Sequence, residues 1–174
     1  MLACVSAIPV MNAQSQPAKT RPAANDEAVQ KLFKERLAEI LGLITKAGTD
    51  SVAGLRSGLF GSKPESGLYP VAKRKKLPYT SKEAYTFYGK WEYRAEFGTF
   101  RPGQEAKQHA MAEKISRLVQ DHVSGTDWEP VNTRSQSDPG SRELLHYTIP
   151  RGRHHLRVKI WAAHNGNTIM LFLD

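Results

Sequence analysis

Three histidines, His146, His154 and His155, fall close to Arg142, Arg151, Arg153, Arg157 and Lys159, and imidazole is the side chain suited both to metal ligation and to proton transfer near neutral pH. Strand alternation turns His154 to one face and His155 to the other, so the adjacent pair cannot grip a single ion. His146 can approach His155 diagonally across a strand pair, with Arg157 directly opposite His146. That guanidinium repels a divalent cation and no carboxylates converge to offset it, so neither a metal nor a cofactor is expected. A hydrolase built on His155 or His146 with Glu143 is the enzymatic alternative, and it lacks a nucleophile. Ser57 is not in a G-x-S-x-G elbow, and the glycine-rich stretch 48–67 lacks the Lys-Ser/Thr ending of a phosphate loop. Asp127 and Glu129 share one side of a strand, but paired carboxylates need a cleft to act on a glycoside.

Positive charge is the stronger signal. The chain of 174 residues has 25 Lys plus Arg against 17 Asp plus Glu, a net charge of +8 with neutral histidines. Lys73, Arg74, Lys75, Lys76 and Lys82 form one cluster, and Arg142, Arg151, Arg153, Arg157 and Lys159, less Glu143, form the other. In the second cluster Arg153, His155, Arg157, Lys159 and Trp161 alternate with apolar residues, so they share the face turned away from the core, beside His146 and Thr148. A stripe of cations ending in an aromatic suits an anion-binding sheet surface, joined by Lys73, Arg74, Lys75 and Lys76 if both clusters share one side. The plainer reading is a solvated sheet face and lysine-guarded edges.

These side chains need a sheet and something to cover its other face. Val29, Phe33, Leu37, Ile40 and Ile44, with Leu32 and Leu41, recur at helical spacing from an N-cap at Asn25 or Asp26 to Gly48. Pro102 opens a second helix over 103–123, with Met111, Ile115, Leu118, Val119 and His122 on one side and Gly125 as its stop. Trp91, Tyr93, Ala95 and Phe97 alternate with Glu92, Arg94 and Glu96, and Tyr85, Phe87 and Tyr88 precede Gly89-Lys90 as a hairpin partner. Asn165-Gly166 predicts a two-residue turn that sets Ala162 against Ile169, Ile160 against Leu171 and Val158 against Leu173. The preceding strand then pairs Tyr147 with Leu156 and Leu145 with Val158, and Trp128 with Val131 adds a fourth strand. The expectation is an α+β fold in which an antiparallel sheet of about six to seven strands, ending in a C-terminal meander, packs against two amphipathic helices. The two halves share an order of elements without any repeat of residues.

Residues 1–13 are uncharged, and Leu2 to Met11 form a short apolar run before Asn12-Ala13, which predicts a signal peptide truncated at its start. Residues 14–24 read as a polar leader and 25–174 as one domain. Leu2-Ala3-Cys4 also permits lipid attachment in a longer precursor, and Cys4 is the single cysteine. No stretch has the roughly 20 apolar residues of a membrane-spanning helix. A secreted or periplasmic location is expected, with a cytoplasmic one as the alternative. Export sets nucleic acid aside as a partner. The function expected is a non-catalytic binding module for an anionic partner, namely an acidic polysaccharide, lipid headgroups or a protein surface. The alternatives are the hydrolase and an assembly domain whose Trp161, Met170 and Phe172 are covered by another chain.

Overall fold

A computed structural model describes residues 23–46, 68–70, 76–87, 91–132, 140–149 and 154–174. In chain order the elements are α1 (Ala23–Lys46), β1 (Leu68–Pro70), β2 (Lys82–Phe87), β3 (Trp91–Phe100), α2 (Glu105–Val123), β4 (Glu129–Pro130), β5 (Ser141–Thr148), β6 (His155–Ala163) and β7 (Gly166–Leu173). The strands form one antiparallel sheet in the order β1-β2-β3-β7-β6-β5-β4. The α+β class, the strand number and the C-terminal meander are as the alternation implied. Each half runs as a helix followed by a meander, and the last strands of the two meanders, β3 and β7, pair at the centre.

Both helices lie on one face of the sheet. Their apolar stripes, Phe33, Leu37, Ile40 and Ile44 of α1 with Ile115, Leu118 and Val119 of α2, meet Tyr85, Tyr93, Phe97, Leu156, Val158, Ile169, Leu171 and Leu173 in one core. Burying a side chain of this size is worth about 1.5–3 kcal/mol, so this interface dominates the stability of the fold. None of the described helices is long and apolar enough to cross a membrane.

Several expectations change in detail. Helix α1 starts at Ala23, before the proposed cap, so Asp26 lies in its first turn and complements the helix dipole there. Leu32 falls off the apolar stripe and is 40% exposed. Helix α2 starts at Glu105 instead of Gly103 because Gly103 adopts φ 86°, outside the helical region. Within it Ala112 and Val123 are buried, while Met111 sits at the margin of the core.

The C-terminal hairpin departs furthest. Its turn residues are His164 and Asn165, not Asn165 and Gly166, so Val158 faces Leu171, Ile160 faces Ile169 and Ala162 faces Asn167. Neither turn residue has positive φ; only Gly166 does, at 131°. A Cβ built there would lie 2.4 Å from the Phe100 carbonyl oxygen, so the close approach of β3 requires glycine as the first residue of β7. The shift is two residues, and an even shift leaves every side chain on its intended face. The pairs Tyr147–Leu156 and Leu145–Val158 form as expected.

Candidate functional site

The sheet face opposite the helices carries the polar members of each alternation, and among the described residues no helix covers it. In one row Arg94 of β3, Phe172 of β7, Arg157 of β6 and His146 of β5 lie side by side. In the next row are Lys82, Glu96, Met170, Lys159 and Glu143, and in the third Thr99, Thr168, Trp161 and Ser141. Two bulges keep these rows in phase. An extra residue at Gly98, with φ 110°, returns Thr99 to this face, where its hydroxyl lies 3.0 Å from that of Thr168. The second, at Leu144, sets Glu143 and His146 on one face although they are three residues apart, which regular alternation forbids.

Each described cation on this face has an acid beside it. Lys159 Nζ is 3.7 Å from Glu143 Oε2, Arg157 Nη2 is 3.5 Å from Asp174 Oδ1, and Lys82 Nζ is 4.0 Å from Glu96 Oε1. Arg94 pairs with Glu92 on its own strand and also sits over the Phe172 ring, 5.6 Å from its centroid. Lys159 points away from the helices as expected but is only 8% exposed, so it is not a solvated lysine. His155 and Arg157 are half-buried, and Trp161, at 39%, is the most exposed large apolar side chain of this face among the described residues.

The two histidines meet here. His146 Nε2 lies 3.0 Å from His155 Nδ1, and His146 Nδ1 lies 3.3 Å from Glu143 Oε1. The carboxylate assigns the tautomer: His146 donates Nδ1–H to Glu143 and accepts from His155 Nδ1–H at Nε2. Burial lowers the pKa of His146, Arg157 and His155 act in the same direction, and Glu143 opposes them. Among the described residues no three His, Cys, Asp or Glu side chains are placed to hold a metal ion. An open groove of about 330 Å³, lined by Asp26, Gln30, Glu113, Lys114, Arg117 and Asp121 among others, lies between α1 and α2 on the other side of the sheet from the histidines.

Of the other residues singled out, Lys76 is half-buried, and Lys73, Arg74, Lys75, Arg151 and Arg153 lie outside the described residues. So do the signal peptide, residues 14–22 of the leader, the glycine-rich stretch and Ser57. The described residues contain as many Lys and Arg as Asp and Glu, so the net +8 of the chain belongs to the segments outside them.

Two polar clusters escaped the sequence analysis. Glu83 sits on the helix-facing side of β2, 4% exposed, and accepts hydrogen bonds from the Tyr93 hydroxyl at 2.5 Å and the Leu77 backbone N–H at 3.0 Å. Burial raises its pKa against the pull of those donors, and burial also raises that of Tyr93. The signal was legible, since Glu83 shares the inward parity of Tyr85. Tyr79, which alone among the described non-glycine residues has positive φ (68°), gives its hydroxyl to Asp26 at 3.1 Å, while Lys114 bridges Asp26 at 2.8 Å and stacks over the Tyr79 ring. The Lys114 contact holds the Asp26 carboxyl below the usual carboxylate range. Both clusters join the 76–80 segment to the body of the fold.

Comparison with family models, curated proteins and solved structures gives no match, so the functional reading rests on this geometry.

Proposed function

We propose that this chain is a non-catalytic binding module that presents the helix-free face of its sheet to a protein partner, with Trp161 as the anchor. The observation that carries the reading is the combination on that face of a half-exposed tryptophan with cations that are each already beside a carboxylate. A polyanion draws its affinity from uncompensated positive charge, and here it would compete with Glu92, Glu96, Glu143 and Asp174. A protein surface carries both signs and apolar groups, and Trp and Arg are the residues that dominate such interfaces. Export is part of this proposal and would place the partner outside the cytoplasm. An anionic polysaccharide or lipid headgroup remains the rival outcome, carried by the basic segments outside the described residues. The hydrolase reading needs a cleft and a nucleophile at His146 and His155, and the groove between the helices is remote from both.

The test is photo-cross-linking in the native host from a benzoylphenylalanine at position 161 and, as a control, at position 117 on exposed α2. A protein captured from position 161 and not from 117 is then purified, and its affinity for wild type and Trp161→Ala is compared. The reading expects a loss of about thirtyfold, the size of an interface hot spot. Equal capture from both positions, or an affinity that Trp161→Ala leaves unchanged, refutes it, as does binding to heparin or anionic vesicles that this substitution does not weaken.

A further inference from the structure

We propose that the His146–His155 pair is a proton-operated charge switch on the helix-free sheet face, silent at neutral pH and adding positive charge beside Arg157 and Lys159 on acidification. The inference deepens the binding reading by naming how that face is regulated, and it rests on that reading only for its biological use.

The pair lies among groups that leave little slack. On its own strand His146 faces Glu143, from β6 it meets Arg157 and His155 with Lys159 one pair further on, and Asp174 is hydrogen-bonded through its backbone to His155. From β4, Glu129 pairs with Thr148 at the same end of β5, and the Val131 N–H bonds the His146 carbonyl. Among the described residues, with both rings neutral, the four cations of the face each lie beside a carboxylate. A proton added to the pair is a net gain of positive charge among these residues.

The direct contact between the rings gives the response its shape. One N–H is shared across 3.0 Å, so a single added proton is accommodated by the same hydrogen bond. A second proton makes both facing nitrogens donors and breaks it, beside Arg157 and with His146 only 14% exposed. The two rings therefore titrate as a coupled pair in two separated steps, not as two independent histidines. Each step adds one positive charge next to Arg157 and Lys159. The burial that lowers the pKa of His146 places its step on the acid side of the ordinary imidazole range.

Two measurements test this on the intact chain. The imidazole resonances of wild type, followed by NMR from pH 8 to pH 4, should show biphasic titration of His146 and His155, with the exposed His109 and His164 as internal references. His155→Gln should convert His146 to a single step. Vesicles rich in anionic lipid then serve as a charge probe and not as the partner. Lowering the pH from 7.5 to 5.0 at constant ionic strength should tighten wild-type binding about fivefold more than it tightens binding of the His146→Gln/His155→Gln variant, from roughly one charge at the surface. Independent, ordinary titration of both rings overturns the proposal, and so does an equal vesicle response in wild type and variant. Because the NMR experiment involves no partner, failure of the switch is distinguishable from failure of the docking face.

Discussion

Removing the Glu143 carboxylate tests whether the cations of the sheet face are committed to their acids. Glu143 contacts two groups at once, Lys159 at 3.7 Å and His146 at 3.3 Å, and its side chain and that of Lys159 are only 11% and 10% exposed. At 3.7 Å the Glu143–Lys159 attraction is about 4 kcal/mol at an effective dielectric near 20. Desolvation offsets much of it in the intact protein, but Glu143→Ala takes this carboxylate away from an almost buried ammonium. That substitution should therefore destabilise the fold by about 3 kcal/mol, at the low end for breaking a buried pair because some exposure remains. Lys159→Met keeps the stem packed beside Met170 and leaves Glu143 with His146, so it should cost about 1 kcal/mol. Urea unfolding of the two single variants and the double variant gives the coupling directly, expected at 1–2 kcal/mol. A Glu143→Ala cost within about 0.5 kcal/mol of zero, or strict additivity, would refute the claim that these charges are held in place.

Burial depresses the pKa values of His146 and His122, so the unfolded chain binds protons that the folded chain refuses; their contribution is fully present above the ordinary histidine value of about 6.5 and is lost as pH falls below it. Unfolding free energy measured between pH 8 and pH 5 should drop on the acid side, and His146→Gln should flatten the drop. Glu83 has the opposite sign, because its raised pKa makes the folded chain hold a proton longer, so its contribution fades as pH rises from about 4.5 through the folded value. Tyr93→Phe removes the hydroxyl that bonds Glu83 and should cost about 2 kcal/mol in urea unfolding, whereas an unchanged midpoint would mean that the contact is idle. Gly166→Ala combines positive φ with a Cβ that would lie 2.4 Å from the Phe100 carbonyl oxygen, and a loss of about 3 kcal/mol or more is expected; a neutral result would place the turn elsewhere.

Alternation in β6 and β7, in β3 as far as Phe97 and in β5 from Leu145 onward was enough to separate the helix-facing residues from the rest, because a period of two assigns a face without any knowledge of neighbours, and it fails only across the two bulges. Turn chemistry was read less well. Asn-Gly is a strong hairpin signal, yet here the glycine serves the approach of Phe100 and the turn forms one residue earlier. Faces survived that error and partners did not. The charge balance of the candidate site was hidden for a different reason. Glu143 reaches Lys159 and His146 only through the Leu144 bulge, and Asp174 reaches Arg157 only once β6 and β7 are paired, so no spacing along the chain announces either contact. A sum of charges along 142–159 counted cations whose partners lie on other strands. Glu83 shows the reverse case, since an acid on the inward parity of β2 was visible and its burial followed from the alternation alone.

Hydrogen exchange of the protein alone and bound to the partner captured at position 161 tests the docking face most directly. Protection concentrated on β3, β7 and β6, around Arg94, Phe172 and Trp161, with α1 and α2 exchanging as in the free protein, is the predicted footprint. A footprint on the outer surfaces of α1 and α2, with the three central strands unchanged, would contradict the assignment.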